Sequence, residues 1–386
     1  MDSSTSCPRI LIFIDWFEPG FKAGGPIKSI KNIVGHLNST FKFYIFTSDR
    51  DLGDTSKYSE ISTREWHNYA ENTFVYYNNV RDISLLGINK LIRSIDPDIV
   101  YVNSVFSYKF SILPLICVNT FKRNIKFILA PRGMLHEGAM FQKSIKKKLF
   151  LYMISLFGFS RIINFHCTDL NEVKDVQKYF KNYSSIYLLS NISDNIANEI
   201  LTFRKDVFKL NCIYLARVEK KKNLLYVLSI LKDIKSLRLD FYIFGFNSDL
   251  SYYNDCIELS RSLPENIMVH FHDAISPVEV YSKINKSHLF ILPTLGENYG
   301  HAIIEALSVG RPVLISDQTP WKNLHEYHAG WELPLSDKQA WIKAIEEAAS
   351  WDQAEFDRHC QGALEYARAH TKVEELVEKY REMFGG

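Results

Sequence analysis

Two glutamates, Glu297 and Glu305, lie in LPTLGENYGHAIIEALSVGRPVLIS, residues 292–316, one at a turn and one inside an apolar run. A carboxylate in apolar surroundings is costly to bury without a partner, and the hydroxyls of a ribose would supply one. The stretch reads as a strand (SHLFILPT), a turn (LGENYG), a short helix (HAIIEALSV) stopped by Gly310, and a second strand (RPVLIS). The helix then begins near Gly300 and points its unpaired N–H groups and positive dipole end beyond the strand, which suits a phosphate. Gly300 itself lets backbone approach a ligand closely. Glu305 falls about 1.5 turns into the helix, among Ile303, Ile304, Ala306 and Leu307. Helix periodicity alone weighs this reading evenly against the plain one, in which Glu305 is a surface residue and Glu297 a loop acid.

Basic residues tip that balance. YLARVEKKKNLL places Arg217 directly after a strand and Lys222 five residues later, where a helix should start. A planar guanidinium and a compact ammonium at a strand end can hold a diphosphate between them; Lys220 and Lys221 read as solvated. An isolated Arg–Lys pair is usually plain surface, so this signal is modest alone. A third piece is EPGFKAGGPIKSI, where Gly24 and Gly25 follow the first strand and precede a helix. It is not the G-x-G-x-x-G fingerprint, and no acid follows a second strand at the required distance, which disfavours NAD.

These residues need a scaffold, and short apolar runs alternating with helical spacing provide one. Strands are predicted at RILIFID, FKFYIFTS, NTFVYYN, DIVYVNS, KFILAP, INFHCT and IYLLSN, with helices such as SIKNIVGHL and LLGINKLIRSI between them. Continuous apolarity suits parallel strands covered on both faces. The series starts afresh near residue 205 with NCIYLARV, LDFYIFG, IMVHFHD, LFILPT and PVLIS, after the polar NISDNIANEILTFRKDVFKLN. The expected fold is α/β, two doubly wound Rossmann-like domains facing across a cleft, with ligands beyond the carboxyl ends of the strands. Residues 1–200 form the first domain and 201–370 the second, while 371–386 make a helix that packs back toward the first. From Trp321 onward the composition gains Ala and Glu and holds four of the six tryptophans. DKQAWIKAIEEAASW and KVEELVEKYREMF read there as amphipathic helices, and no function attaches to the shift.

A formal charge of +2 over 386 residues is too near balance to argue for nucleic acid. The start lacks the features of a secretory signal, and no apolar run reaches the roughly 18 residues needed to span a bilayer. Six scattered cysteines without metal-ligand spacing read as free thiols in a reducing cytosol. His166 and Cys167, neighbours on a strand, point to opposite faces and do not ligate jointly.

ENYGHAIIEALSVGRPV resembles the donor-site signature of glycosyltransferase family 4, retaining enzymes of GT-B fold. TPWKNLHEYHAGW is similar to that signature's continuation, ARVEKKKNL has the family's Arg and Lys in register, and GGPIKSI, LAPRGML and HCTDLNE are similar to its N-terminal landmarks. The flavour is that of bacterial enzymes building capsule or O-antigen chains. The resemblance implies that Arg217 and Lys222 neutralise the departing diphosphate, with Glu305 on the ribose and Glu297 on the transferred sugar. The backbone of Asn298, Tyr299, Gly300 and His301 would bind sugar hydroxyls and phosphate, and Gly25 would approach the phosphates from the other domain. It implies no cofactor and no metal. The partners would be a nucleotide-diphosphate sugar donor and a lipid-linked glycan acceptor, used in the cytoplasm or on the cytoplasmic face of the membrane.

Three positions depart from the pattern. Arg132 stands where many members have His; arginine cannot serve as a base near neutral pH, so its expected role is positioning or charge stabilisation. His136, four residues on, is as readily structural. Ile192 in SNISD replaces a glycine, leaving the role of Asn191 open, and Asp273 replaces a glycine near the nucleobase pocket. Separately, Lys143, Lys146, Lys147 and Lys148 precede an apolar helix with Phe150, Leu151, Met153, Ile154, Leu156 and Phe157. This 143–157 segment reads either as a domain helix with solvated lysines or as a membrane-surface contact. The alternatives to a glycosyltransferase are a GT-B sugar-nucleotide epimerase or phosphorylase and a non-catalytic nucleotide-sugar-binding or assembly protein.

Overall fold

The computed structural model describes residues 7–121, 125–136, 140, 144–193 and 196–385; for Ser144, Lys146 and Met153 only the backbone is described. The chain forms two compact units, one up to Ile192 together with the residues from Val373 on, the other Ser193–Lys372.

The first unit holds an eight-stranded sheet in the order β3-β4-β2-β1-β5-β6-β7-β8. Its strands are β1 (Arg9–Phe13), β2 (Lys42–Ser48), β3 (Trp66–Ala70), β4 (Thr73–Asn78), β5 (Ile99–Val102), β6 (Lys126–Leu129), β7 (Ile163–Cys167) and β8 (Ser185–Leu188). Every pairing is parallel except β3 against β4. Helices α1 (Gly25–Leu37), α2 (Leu85–Ile95), α3 (Leu113–Thr120), α4 (Ser144–Leu156) and α5 (Leu170–Tyr179) follow strands in the βαβ manner. Leu11, Phe13, Val100 and Val102 belong to one apolar cluster and Ile10, Ile12, Ile99 and Tyr101 to another. Alternate residues of each strand thus face two cores, which is why these runs are apolar throughout. Opposite faces also separate His166, beside Tyr101, from Cys167, in the cluster of Phe165.

The second unit has six parallel strands in the order β11-β10-β9-β12-β13-β14. They are β9 (Lys209–Leu215), β10 (Arg238–Phe244), β11 (Ile267–His272), β12 (Leu289–Leu292), β13 (Val313–Ser316) and β14 (Gly330–Leu333). Its helices are α6 (Leu224–Leu231), α7 (Leu250–Ser260), α8 (Pro277–Ile284), α9 (His301–Ser308), α10 (Lys338–Ser350) and α11 (Gln353–Thr371). The strand order reverses between β9 and β12, the kind of point at which open α/β sheets bind ligands. The tryptophan-rich region has a structural account: Trp341 is fully buried against this sheet, and Trp331, Trp351 and His359 stack on one another.

Helix α12 (Val373–Met383) completes the first unit. Phe384 meets Phe41 and Tyr101 edge-on at 5.7 and 5.9 Å, and the Lys126 ammonium donates to the Met383 carbonyl at 2.6 Å. All six cysteines are free, five of them buried. Among the described residues no helix is long and apolar enough to cross a membrane.

Candidate functional site

At the carboxyl end of β9 the chain passes through Arg217 into a single 3-10 turn, Lys220–Lys222, and then Asn223, left-handed at φ 57°, starts α6. Gly245, after β10, makes this turn fit: a Cβ there would lie 1.9 Å from the Ala216 carbonyl oxygen. The Lys222 ammonium meets a Glu297 carboxylate oxygen at 2.5 Å, although 75 positions separate them, and both side chains are largely buried. Arg217 pairs with Glu219 at 3.1 Å and keeps more of its surface open. Lys220 and Lys221 are exposed residues, but only Lys220 is solvated as expected: burial of the Lys221 ammonium lowers its pKa.

Glu297 is delivered by a loop fastened on both sides. Leu295 N–H donates to the Lys221 carbonyl at 2.8 Å, and the Thr294 hydroxyl lies 3.2 Å from the same oxygen. On the other side Glu297 N–H donates to the Gln318 carbonyl at 3.0 Å, and the Ser316 hydroxyl to the Thr294 carbonyl at 2.5 Å. The Trp321 indole N–H donates to the Tyr299 carbonyl at 2.5 Å, holding Asn298–Gly300 from below. Burial alone would raise the Glu297 carboxyl's pKa, but the charge and hydrogen bond of Lys222 outweigh it. With help from Lys221 and Thr294, they hold it below the usual carboxylate range.

Helix α9 starts from Gly300, whose φ of 79° is left-handed and whose added Cβ would meet the Ile303 Cδ1 at 2.8 Å. Tyr299 sits between His301 and Trp321, with ring centroids 4.8 and 5.2 Å away. Glu305 is only 7% exposed between fully buried Ala306 and nearly buried Ile304, so the surface reading of this residue is set aside. Asp273 lies exposed in the loop after β11. Arg217, Lys222, Glu297, Asn298, Tyr299, Gly300, His301 and Glu305 therefore all belong to the second unit, on the segments that leave β9 and β12 and on helix α9. A cationic pair beside a helix's amide end suits an anion such as a diphosphate.

Gly25 and Arg132 belong to the first unit. Gly25 is the first residue of α1, after Gly24 at φ 69°. The loop before it hangs on buried Asp51, whose carboxylate accepts from Phe21 and Lys22 N–H at 2.8 and 3.1 Å. Arg132 follows β6 in a left-handed conformation, φ 53°, and donates to Asn103 at 2.6 Å, Asn191 at 2.5 Å and the Tyr101 hydroxyl at 2.9 Å. Behind it Tyr101 reaches His166 Nδ1 at 2.8 Å, while His166 Nε2 donates to the Leu189 carbonyl at 3.0 Å. Burial, reinforced by the Arg132 charge, brings His166 down to about 3, so the ring is neutral. Fully buried Glu172 accepts from Gly133 and Thr168 N–H at 2.6 and 2.7 Å, bracing the Arg132–Gly133 turn. Asn191 is thus a partner of Arg132. Buried Ile192, in the place of a glycine, presents its carbonyl to Asn32 at 2.8 Å, and His136 pairs with Asp175.

Thr294, Gln318, Trp321, Tyr101 and Glu172 were not singled out as supporting groups, although Trp321 and Glu172 lie within TPWKNLHEYHAGW and HCTDLNE. Each comes from a separate element, and nothing in its local spacing marks it as a partner. Among the described residues no group of three or more His, Cys, Asp or Glu is placed to hold a metal ion.

Residues 203–361 match the family described as "Glycosyl transferases group 1". The whole chain has the GT-B fold, since solved structures of that architecture align along both units. Sucrose-phosphate synthase from Thermosynechococcus elongatus aligns at TM-score 0.73 and 13% identity, over 98% of this chain and 99% of that one. HepE of Anabaena, solved in complex with UDP and glucose, aligns at TM-score 0.70 and 12% identity, over 97% and 99%. WaaG, a glycosyltransferase involved in lipopolysaccharide biosynthesis, aligns at TM-score 0.66 and 12% identity, over 98% and 100%. No curated protein matches the chain.

Proposed function

We propose that the chain is a retaining glycosyltransferase that moves a sugar from a nucleotide-diphosphate donor to a lipid-linked glycan in the cytoplasm. One observation carries the reading. Lys222 and Glu297 form an ion pair at 2.5 Å where the strand order reverses, beside the start of a helix with buried Glu305 in its second turn. The group 1 match over these residues and the UDP complex of the HepE relative support a nucleotide-sugar donor.

In this reading Lys222 and Arg217 stabilise the charge that develops on the leaving diphosphate, which is where fixed cations lower a barrier most. The first amides of α9 and the backbone of Asn298–His301 hold phosphate and sugar hydroxyls. Glu305 binds the ribose, and Glu297 touches the transferred sugar once the donor engages Lys222. Within the first unit, Arg132 serves in positioning. The acceptor hydroxyl attacks on the face the diphosphate leaves, and the departing phosphate oxygen takes its proton. The stereochemical outcome is retention. The cations act without a metal.

A thermal-shift panel of nucleoside diphosphates and nucleotide sugars tests donor binding, because a ligand selective for the folded state raises the melting temperature. One nucleotide series is expected to raise it; no response from any nucleotide would remove the reading. Transfer with that donor should survive EDTA, whereas loss restored by magnesium contradicts the metal-free scheme. Donor binding without transfer or hydrolysis would favour a non-catalytic binding protein.

A further inference from the structure

Helix α4, Ser144–Leu156, is apolar on two sides, and the protein uses one of them. Leu151 and Ile154 are buried, and Phe150 meets Phe106 edge-on at 5.8 Å, so that side fastens the helix to the first unit's core. The other side carries Ile145, Leu149, Tyr152 and Leu156, whose spacing makes one stripe of an α-helix. These four are 60 to 81% exposed, and Phe157, next in the chain, is 63% exposed. Helices apolar all round are ordinarily enclosed by protein or lipid, and contiguous apolar patches of this kind mark contact surfaces.

The surrounding charge indicates what covers the stripe. From Gly138 to Thr168 the sequence holds four lysines and one arginine and no Asp or Glu. Lys148 and Arg161 are exposed, and Lys147 lies over the Phe106 ring at 5.1 Å; Lys143 and the side chain of Lys146 lie outside the described residues. Two copies of the chain pairing through this stripe would bring like charges together with no acid of the segment to meet them. A bilayer with anionic headgroups offers both an apolar layer and the opposite charge. A helix of 13 residues is about 20 Å long, short of the roughly 30 Å hydrocarbon core, so it can lie in the interface but not span it.

We infer that the outer stripe of α4 docks the first unit on an anionic lipid surface. Ile145, Leu149, Tyr152, Leu156 and Phe157 enter the headgroup boundary, and Lys148 and Arg161 meet the lipid phosphates. This docking does not require the donor chemistry, and it supplies a reason for the acceptor of the proposed reaction to be lipid-borne.

Vesicle flotation of the full chain tests it, using phosphatidylcholine with about a third phosphatidylglycerol. The protein should float with these vesicles and stay behind with pure phosphatidylcholine. Changing Leu149, Leu156 and Phe157 together to Gln should weaken binding at least ~10-fold, and Lys148→Gln with Arg161→Gln about 10-fold at low salt. The altered side chains lie outside the core, so both variants should keep the parental melting temperature and its response to nucleotides. Failure of docking is thereby separable from failure of the donor reading. Equal flotation of the three proteins, or flotation indifferent to headgroup charge, overturns the inference. A lipid-free dimer in light scattering that the apolar substitutions dissolve also overturns it, since the stripe is then a protein interface.

Discussion

Lys222 and Arg132 each follow a parallel strand of their own unit, yet they are held in opposite ways. Lys222 has a carboxylate, Glu297, as its partner at 2.5 Å, while Arg132 donates to the neutral oxygens of Asn103, Asn191 and Tyr101. An ion pair can be exchanged for another anion of similar strength. A guanidinium held at each of its three nitrogens by a fixed neutral acceptor gains less from a new ligand and loses more by moving. In the proposed reaction this contrast gives Lys222 the chemical role and Arg132 the supporting one.

The strongest way to break that contrast is Lys222→Ala. Transfer should fall by about a thousandfold, and stability by roughly 3 kcal/mol, because Glu297 is left buried and unpaired. Adding Glu297→Gln should restore most of the stability and none of the transfer, read by urea midpoints and product assay. Recovered transfer in the double variant would leave Lys222 with a structural role only.

Arg132→Ala should reverse the emphasis. Three hydrogen bonds are lost, so the first unit should weaken by roughly 2–4 kcal/mol, with transfer reduced only about tenfold. A loss of transfer as deep as that of Lys222→Ala, with the fold intact, would move Arg132 into the chemistry.

Acid sharpens the contrast further. His166, behind Arg132, is pushed by burial from 6.5 to about 3. Between those values the unfolded chain binds a proton that the folded one excludes, so stability falls as pH drops, by up to about 1.4 kcal/mol per unit. His288 and His359 in the second unit, both brought by burial to about 4, share this behaviour. Glu297 has the opposite origin: its pKa is depressed, so its contribution is complete above the usual carboxylate range and is lost as pH falls through and below it. His166→Asn should lower the slope of stability against pH between 6 and 4 by up to one proton's worth; an unchanged slope would mean the ring is charged in the fold.

The smallest expected effect is that of Gly300→Ala, at φ 79° and 2.8 Å from Ile303. About 1 kcal/mol of strain is expected, appearing as a weaker nucleotide-induced thermal shift. A response equal to that of the unaltered chain would show that α9's start is not where the donor binds.

The strands were legible wherever they were fully apolar. Twelve expected runs correspond to strands in place, whereas β3, reading WHNYA, and β14, reading GWEL, were not anticipated. Both lie at sheet edges, where covering is one-sided and the apolar signal weakens. Lys222 likewise sits in a 3-10 turn, with α6 starting two residues later than the expected helix. Within the site, types and spacing singled out Lys222, Glu297 and Glu305, and the burial of Glu305 excludes its surface placement. The partners of Arg132 were invisible because they come from β5 and from the segments that follow β5 and β8, and local patterns carry no information about which loops converge.

Helix α12 has a bearing on how the polypeptide is made. Because Tyr380, Met383 and Phe384 plug a core built from residues of the first unit, that core stays open on the ribosome while Ser193–Lys372 is being synthesised. The later-made unit can therefore mature first, and shortening the chain before Val373 would strip the earlier one of its closing wedge.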